Sequence, residues 1–594
     1  MYILGLTTMT ESSAVLMRDG QVVAAAEEER FARVKHRGGF PFAAIAFVLA
    51  HEGITLGDVD HVGVYWNPWK MGRRARYVLE PLLTDPALFL EKLRRAGTIL
   101  SRQAAGGPHA GWMDLFQTSA LLRRRFGAAP RRVHYLDHHA CHMATCFYGS
   151  PFPEAAILVM DGAGEAACTT AGVGRGTALS VVDEHLLPHS LGHFYSAVTG
   201  YLGFQMLDGE YKMMGLSPYG DASGSSWIRK TFLRTTAPGR YALDYPVLDY
   251  HRALRGVFDG PFARHFGPAR EATEEAPFTD RHRDIAAAAQ RGFEEVVLDL
   301  ATTLRRRTGL ARLAIAGGCG LNCTASGRIL QTGAFDEIYV PPVPHDAGGA
   351  LGAAMLVYAR VTGQRPDPMV HAQFGPPIDA TGADLDRGGR LNATPLDEDA
   401  LIDVAARALA DGQVVAWAQG RMEFGPRALG NRSFLADPRS DGIRDVINEK
   451  IKKRELFRPF APSVKAESAG EYFELAQPSP FMTIVVPVRP EKRGAIPAVT
   501  HVDGTARPQT VDRSVNPRYW KLLDRFERIT GVPVLLNTSF NIQEPIVCSA
   551  AEALATFERS GVDALVLGDR WITRAGRSRP RQEAAGAQPA LRNR

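Results

Sequence analysis

The chain opens on an apolar run over residues 2–7, and short apolar runs return at 12–17 and 21–26, the last two separated by Asp19-Gly20. Runs of this length bounded by turn residues predict strands, and Asp-Gly between two of them predicts a hairpin. The rhythm recurs over residues 155–186, where AAILVMDG, EAACTTAGVG and TALSVVDEHLL read as strand, turn, strand, turn, strand. Between the copies, residues 70–130 are rich in Arg, Leu and Ala. They read as helices with a glycine-containing break at 105–111, either a cap over a cleft or plain helical packing.

Two three-stranded meanders, each followed by helical segments, predict a duplicated α/β core with a cleft between its halves, the architecture of the actin-like ATPase fold. In the second half, LARLAIAGG is an apolar strand running into Gly317-Gly318, and EIYVPPV is another leading to Asp346, Gly348 and Gly349. Glycine at a strand end lets backbone N–H groups approach a nucleotide or another anion. Ser190 to Gly220 interleaves glycine, aromatics and the charged set Asp208, Glu210 and Lys212 too densely for a plain helix, and reads as a site loop. A stretch rich in Pro, Gly and Asp at 362–392 reads as a linker, after which VVAWAQG and VLLNTSFN predict strands of a second α/β unit. The expected division is residues 1–375, residues 393–573 and a disordered basic tail from 574 to 594.

Hydrophobic residues make up 45% and charged residues 22% of the 594, as in an ordinary globular protein. The formal charge of +5 suggests nucleic acid until its place is read: residues 574–594 hold six Arg and one Glu, so the other 573 residues are formally neutral. A neutral body exerts no general attraction on phosphate backbones, and no nucleic-acid or membrane partner is expected. The six cysteines include no C-x-x-C pair, which argues against a structural zinc site or a disulfide framework. With no basic leader and no apolar run near ~18 residues, the expected location is cytoplasmic.

DHHACHMATCFYG, from Asp137 to Gly149, reads as a helix N-capped by the Asp137 carboxylate and stopped near Gly149. His138 and His142 are four apart, so both imidazoles project from one face, one turn above the other. Two nitrogens preset in this way suit iron, zinc, nickel or copper, although an isolated H-x-x-x-H is more often a helix with two polar residues. Asp161, at the end of the apolar run that starts at Ala155, offers a carboxylate, and Asp346 offers a fourth donor. In the second unit Arg421, Arg427, Arg432 and Arg439 crowd among glycines, and Lys452, Arg454 and Arg458 are interleaved with Phe457, Pro459, Phe460 and Pro462. Guanidinium forks in such a walled setting suit phosphate or carboxyphosphate oxygens.

The motifs EEERFARVKH, DHHACH, GEYKMMGLSPYG, MEFGPRALGNRS, KKRELFRPFAP, HVDGTARPQ and NTSFN follow one another between Leu4 and about Trp571. In that order they closely resemble the O-carbamoyltransferase family, which includes nodulation-factor and antibiotic-tailoring enzymes. The resemblance implies a YrdC-like second unit that forms carbamoyl-adenylate from carbamoyl phosphate and ATP, with Mg²⁺ accompanying the nucleotide. It implies an actin-like first unit holding a metal, iron in the best-known relatives, at positions matching His138, His142, Asp161 and Asp346. The family's K-x-R and S-x-N signature falls on Lys452, Arg454, Ser539 and Asn541. Arg427, Arg432, Arg458, Arg507, Lys212, Gly317, Gly318 and Asn322 are expected as further substrate or nucleotide contacts, and Lys35 as a catalytic residue. The carbamoyl group would then pass to a hydroxyl of a small-molecule, natural-product acceptor.

Two departures from the family pattern stand out. Family members carry His-Asp where this chain has Thr10 and Glu11, and an asparagine where it has Ser326. Loss of the imidazole leaves Glu11 and His139 as candidate bases for the acceptor hydroxyl, with Glu11 favoured. The alternatives are a tRNA-modifying carbamoyl-transfer enzyme, which the neutral body disfavours, and a non-catalytic nucleotide-binding relative, which the intact metal and phosphate motifs disfavour. The oligomeric state is open, a homodimer included.

Overall fold

The computed structural model describes residues 1–70, 72–79, 82, 86, 89–90, 112–272 and 277–576. The expected break at 105–111 and the tail from 577 onward lie outside the described residues. The first sheet takes β1 (Tyr2–Thr7), β2 (Ser13–Arg18), β3 (Gln21–Glu27), β4 (His61–Val64) and β5 (Val133–Tyr135) in the order β3-β2-β1-β4-β5. The first three strands pair antiparallel, and β4 and β5 run parallel to β1. Because Thr7 pairs with Ser13, residues 8–12 form the turn that carries Thr10 and Glu11.

The second sheet repeats the plan. β6 (Glu154–Met160), β7 (Ala167–Arg175) and β8 (Ala178–Leu186) form its meander, and β9 (Leu233–Ala237) with β10 (Arg240–Leu243) is a separate hairpin. β11 (Arg312–Ala316) and β12 (Glu337–Tyr339) complete the order β12-β11-β6-β7-β8, again with the added strands parallel to the first. Two sheets with the same order and the same strand directions make the duplicated actin-like fold that the hairpin rhythm predicts. A third sheet of eight strands follows: β13 (Leu391–Pro395), β14 (Val415–Ala418), β15 (Arg432–Ala436), β16 (Ala461–Lys465), β19 (Gln509–Val511), β20 (Val534–Ser539), β21 (Ala564–Leu567) and β22 (Arg570–Arg574). Its order is β13-β22-β21-β14-β15-β20-β16-β19, beside a short ribbon of β17 (Val486–Pro487) and β18 (Thr505–Ala506).

The helix His138–Gly149 is buried along almost its whole length and packs against β6, β11 and the helix Gly349–Thr362. The two helices approach closely because Gly352 has no side chain: a Cβ there would meet the Cys141 carbonyl oxygen at 1.9 Å. Ser190–Gly220 departs from the loop expectation. It holds two helices, Leu191–Tyr201 and Glu210–Leu216, the first capped by the Ser190 hydroxyl accepting from the His193 N–H at 3.0 Å. Leu191–Tyr201 is buried on nearly all sides, so it carries no polar stripe for a period of 3.6 to show. Only the stretch between the helices, with Asp208, is irregular.

Both units share one core. Leu158, Phe194 and Ile315 of the first belong to the same buried cluster as Phe434, Phe460 and Phe540 of the second. Gly327 allows that contact, since a Cβ there would lie 1.8 Å from the Val485 carbonyl oxygen. The stretch after Thr362 is also anchored: the Ala25 N–H donates to the Phe374 carbonyl at 3.0 Å. Among the described residues all six cysteines are free, and no helix is long and apolar enough to cross a membrane.

Candidate active site

The helix from His138, the ends of β6 and β12 and the first turn converge at one point. His138 Nε2 and His142 Nε2 lie 3.0 Å apart, Asp161 Oδ2 is 3.2 Å from the first, and Asp346 Oδ1 is 3.4 and 3.5 Å from the two rings. All four ligand atoms fall within 4.8 Å of one another. Each carboxylate is held from behind, Asp161 Oδ1 by the Gly318 N–H at 2.8 Å and Asp346 Oδ2 by the Thr10 hydroxyl. Burial alone would favour neutral His138, but Asp346 and Asp161 outweigh it and raise its pKa. Burial likewise opposes ionised Asp161, yet the hydrogen bond from His138 and the charge of His142 hold it well below the usual carboxylate range. Two imidazoles and two oriented carboxylate oxygens thus enclose a point that favours positive charge, and they fit a divalent metal.

Asp137 sits at the N-cap position but does not cap. Its carboxylate accepts from Lys70 and, at 3.0 Å, from the Asn67 amide, while the His138 N–H is taken by Glu165 at 3.1 Å. Glu165 also binds the Asn67 N–H at 2.9 Å and is the real anchor of this helix end.

The second cluster is cationic. Lys452 Nζ donates to the Ser539 and Asn541 carbonyls and to Asn541 Oδ1, each at 2.7 Å, so the two signature motifs meet here. Arg454 Nε donates to Asn448 Oδ1 at 2.7 Å, and the Arg458 guanidinium lies over Tyr211. Burial first, and then neighbouring guanidinium charge, pushes Lys452 and Arg454 well below their ordinary pKa values and Arg427 down to about 9. Arg427 Nε is buried without a hydrogen-bond partner. Glu455, shared with Lys212 at 2.9 Å and Arg458 at 3.5 Å, offsets only part of this charge. Such a site favours a multiply charged anion.

One cavity of about 1470 Å³ joins the two clusters. Its wall includes Asp161 and Asp346 at one end and Lys452, Arg454, Arg458, Arg427 and Arg507 at the other, with Glu11, Lys35, His36, Asp208 and Lys212 also on it.

Several expected contacts take other roles. Arg432 is fully buried and donates to the carbonyls of Gln419 at 2.7 Å, Asn431 at 3.0 Å and Pro376 at 3.1 Å, so it braces the loop and does not reach the cavity. Arg421 is likewise bonded to carbonyls of Gly375 and Val23, and Arg439 to Asp437. His139 hydrogen-bonds Thr170 at 2.7 Å and does not line the cavity, and burial keeps it neutral, well below the usual histidine pKa. The Gly317 N–H donates to the Pro344 carbonyl and the Gly318 N–H to Asp161, so neither is free to cradle a phosphate and Gly318 orients the Asp161 carboxylate. Asn322 caps its own helix and pairs with Gln290. His36, His345 and Glu165 escaped the sequence reading. Two of them left a signal, His36 one residue beyond Lys35 in EEERFARVKH and His345 one residue before Asp346.

Residues 2–355 match the family described as carbamoyltransferase N-terminus, and residues 406–574 the one described as carbamoyltransferase C-terminus. The chain belongs to the carbamoyltransferase family. This carbamoyltransferase is 39% identical over 585 residues to nodulation protein NolNO of Sinorhizobium fredii, spanning 95% of this chain and 79% of that one. It is 39% identical over 564 residues to the 3'-hydroxymethylcephem-O-carbamoyltransferase of Streptomyces clavuligerus, spanning 89% and 99%. Full-length HypF in its phosphate- and nucleotide-bound form superposes with a TM-score of 0.35 and 14% identity over 61% of this chain and 56% of that one. The two family matches divide along the sheets, the first covering both repeats and the second most of the eight-stranded sheet.

Proposed function

We propose that this carbamoyltransferase hydrolyses carbamoyl phosphate with one water to carbamate and phosphate, joins the carbamate oxygen to the α-phosphorus of ATP with release of pyrophosphate, and passes the carbamoyl group of the resulting adenylate to a hydroxyl of a small-molecule acceptor. The observation that carries this reading is the continuous cavity between the cationic cluster and the His/Asp quartet. Carbamoyl phosphate and Mg·ATP crowd many anionic oxygens together, and Lys452, Arg454, Arg427, Arg458 and Arg507 supply the opposing charge. Ser539 and Asn541 hold the Lys452 ammonium in place. A YrdC-like role is assigned to the second unit on this ground.

The adenylate is prone to hydrolysis, and a short path within one cavity from one cluster to the other would limit its exposure to bulk water. His138, His142, Asp161 and Asp346 would hold a divalent metal, iron or another, which when bound supplies Lewis acidity toward a carbonyl or phosphoryl oxygen. An O-acceptor agrees with the reaction named for the Streptomyces relative. A small acceptor and no nucleic acid agree with the neutral body.

The test is ATP–pyrophosphate exchange by the full-length protein. Exchange should require carbamoyl phosphate, vanish in Arg454→Ala and persist in His142→Ala. Undiminished exchange in Arg454→Ala would remove the cationic cluster from the activation step.

A further inference from the structure

Three chain segments meet on the cavity wall through one imidazole. His36 Nδ1 lies 2.8 Å from Glu11 Oε1, and His36 Nε2 lies 2.9 Å from Asp208 Oδ1. Each segment is anchored from behind. The His36 N–H donates to Glu29 at 2.8 Å, the Thr7 hydroxyl donates to the Glu11 carbonyl at 3.2 Å, and the Leu207 N–H donates to Glu210 at 2.8 Å. Glu11, His36 and Leu207 have φ of 48°, 51° and 69°, so three of the eight non-glycine residues with positive φ among those described converge here. Backbone held in this region persists only where its surroundings over-determine it, and such residues gather at functional sites.

A ring between two carboxylates donates from both nitrogens. The ring is 41% exposed, so its desolvation is only partial; it opposes the charged form, but Asp208 and Glu11 outweigh it and push the His36 pKa up to about 11. A doubly protonated imidazole has no lone pair left to take a proton. Glu11 does: its Oε2 stands 3.6 Å from His345 Nε2, and its chain neighbour Thr10 is bonded to Asp346 of the quartet.

We propose that His36 is a positioning residue for carbamoyl transfer, an imidazolium clamp that fixes the Glu11 carboxylate beside the acceptor and ties it to the loop of Asp208. The proposal rests on the two-step reading above. In the step it serves, the acceptor oxygen bonds to the carbamoyl carbon and its proton goes to Glu11. The bond from that carbon to the adenylate oxygen breaks, and AMP leaves with the electron pair. A hydrogen bond from an imidazolium lowers carboxylate basicity, so the clamp contributes placement. Glu11 and Asp208 are the carboxylates on the ring, Glu29 meets its backbone, and Lys35 precedes it in the chain.

The experiment uses the full-length protein with ATP, carbamoyl phosphate and methanol as a surrogate hydroxyl, following methyl carbamate and, separately, pyrophosphate exchange. A positioned base contributes ~10²–10⁴-fold, so His36→Ala should lower the kcat for methyl carbamate by at least ~100-fold, with exchange and the methanol KM near those of the parent. Added imidazole should restore part of the loss, and Glu11→Gln on the His36→Ala background should cost little more. Parental transfer in His36→Ala, or parallel loss of exchange, would overturn the clamp. Absence of exchange in the parent would instead overturn the two-step reading. Histidine ¹⁵N spectra need no acceptor: both His36 nitrogens should be protonated at pH 9, and a neutral ring there contradicts the proposal.

Discussion

The Thr10 hydroxyl donates to Oδ2 of Asp346, 336 residues away in the chain. It leaves Oδ1 facing His138 and His142 at 3.4 and 3.5 Å. Where family members are expected to carry an imidazole, this chain carries a hydroxyl that orients a candidate metal ligand. Thr10→Val keeps the shape and deletes the donor. Loss of such an outer partner typically costs ~10–100-fold in metal affinity, whereas Thr10→Ser should bind as the parent does. Titration with Fe²⁺ or Mn²⁺ followed by elemental analysis reads the difference, and equal occupancy in Thr10→Val would leave the hydroxyl without that role.

The cationic cluster and Arg432 separate cleanly by stability. Pyrophosphate at about 100 times its Kd should stabilise the parent by about 2.7 kcal/mol, and Arg427→Gln should lose most of that gain. Arg432→Met leaves the carbonyls of Gln419, Asn431 and Pro376 without their donor, a loss on the order of 3 kcal/mol. Pyrophosphate should still stabilise that variant by the parental amount. Denaturant melts with and without the anion decide both points.

Most of the fold was legible because it is local. Strand rhythm and Asp19-Gly20 mark the first meander, and AAILVMDG marks the second. The i,i+4 spacing puts His138 and His142 on one face, where their Nε2 atoms lie 3.0 Å apart. Partner choice was not legible. Nothing local tells that Arg432 turns inward onto carbonyls while Arg427 faces the cavity, or that Glu165 caps a helix beside Asp137. Leu191–Tyr201 was misread for a related reason, since a helix buried all round shows no stripe. The pairing of His36 with Asp208 spans 172 residues and is set by how the two repeats face each other.

His36 also gives stability a defined pH dependence. Its pKa is raised from 6.5 to about 11, so its contribution is fully present below pH 6.5 and is lost as pH rises toward 11. The stability difference between the parent and His36→Gln should therefore shrink between pH 7 and pH 10. Guanidinium melts at the two pH values test the sign, and a difference that grows with pH would contradict the clamp.

The central proposal is that the activated carbamoyl group passes from the cationic cluster to the His/Asp quartet within a single molecule, through the one cavity that both clusters line. Arg454→Ala should be unable to form the adenylate, and His142→Ala unable to use it. Mixing the two variants with ATP, carbamoyl phosphate and methanol is the most direct test. If the intermediate stays inside, the mixture should make no more methyl carbamate than the sum of the variants alone. Restoration of turnover toward the parental rate would show that the intermediate crosses bulk water, and would contradict the account.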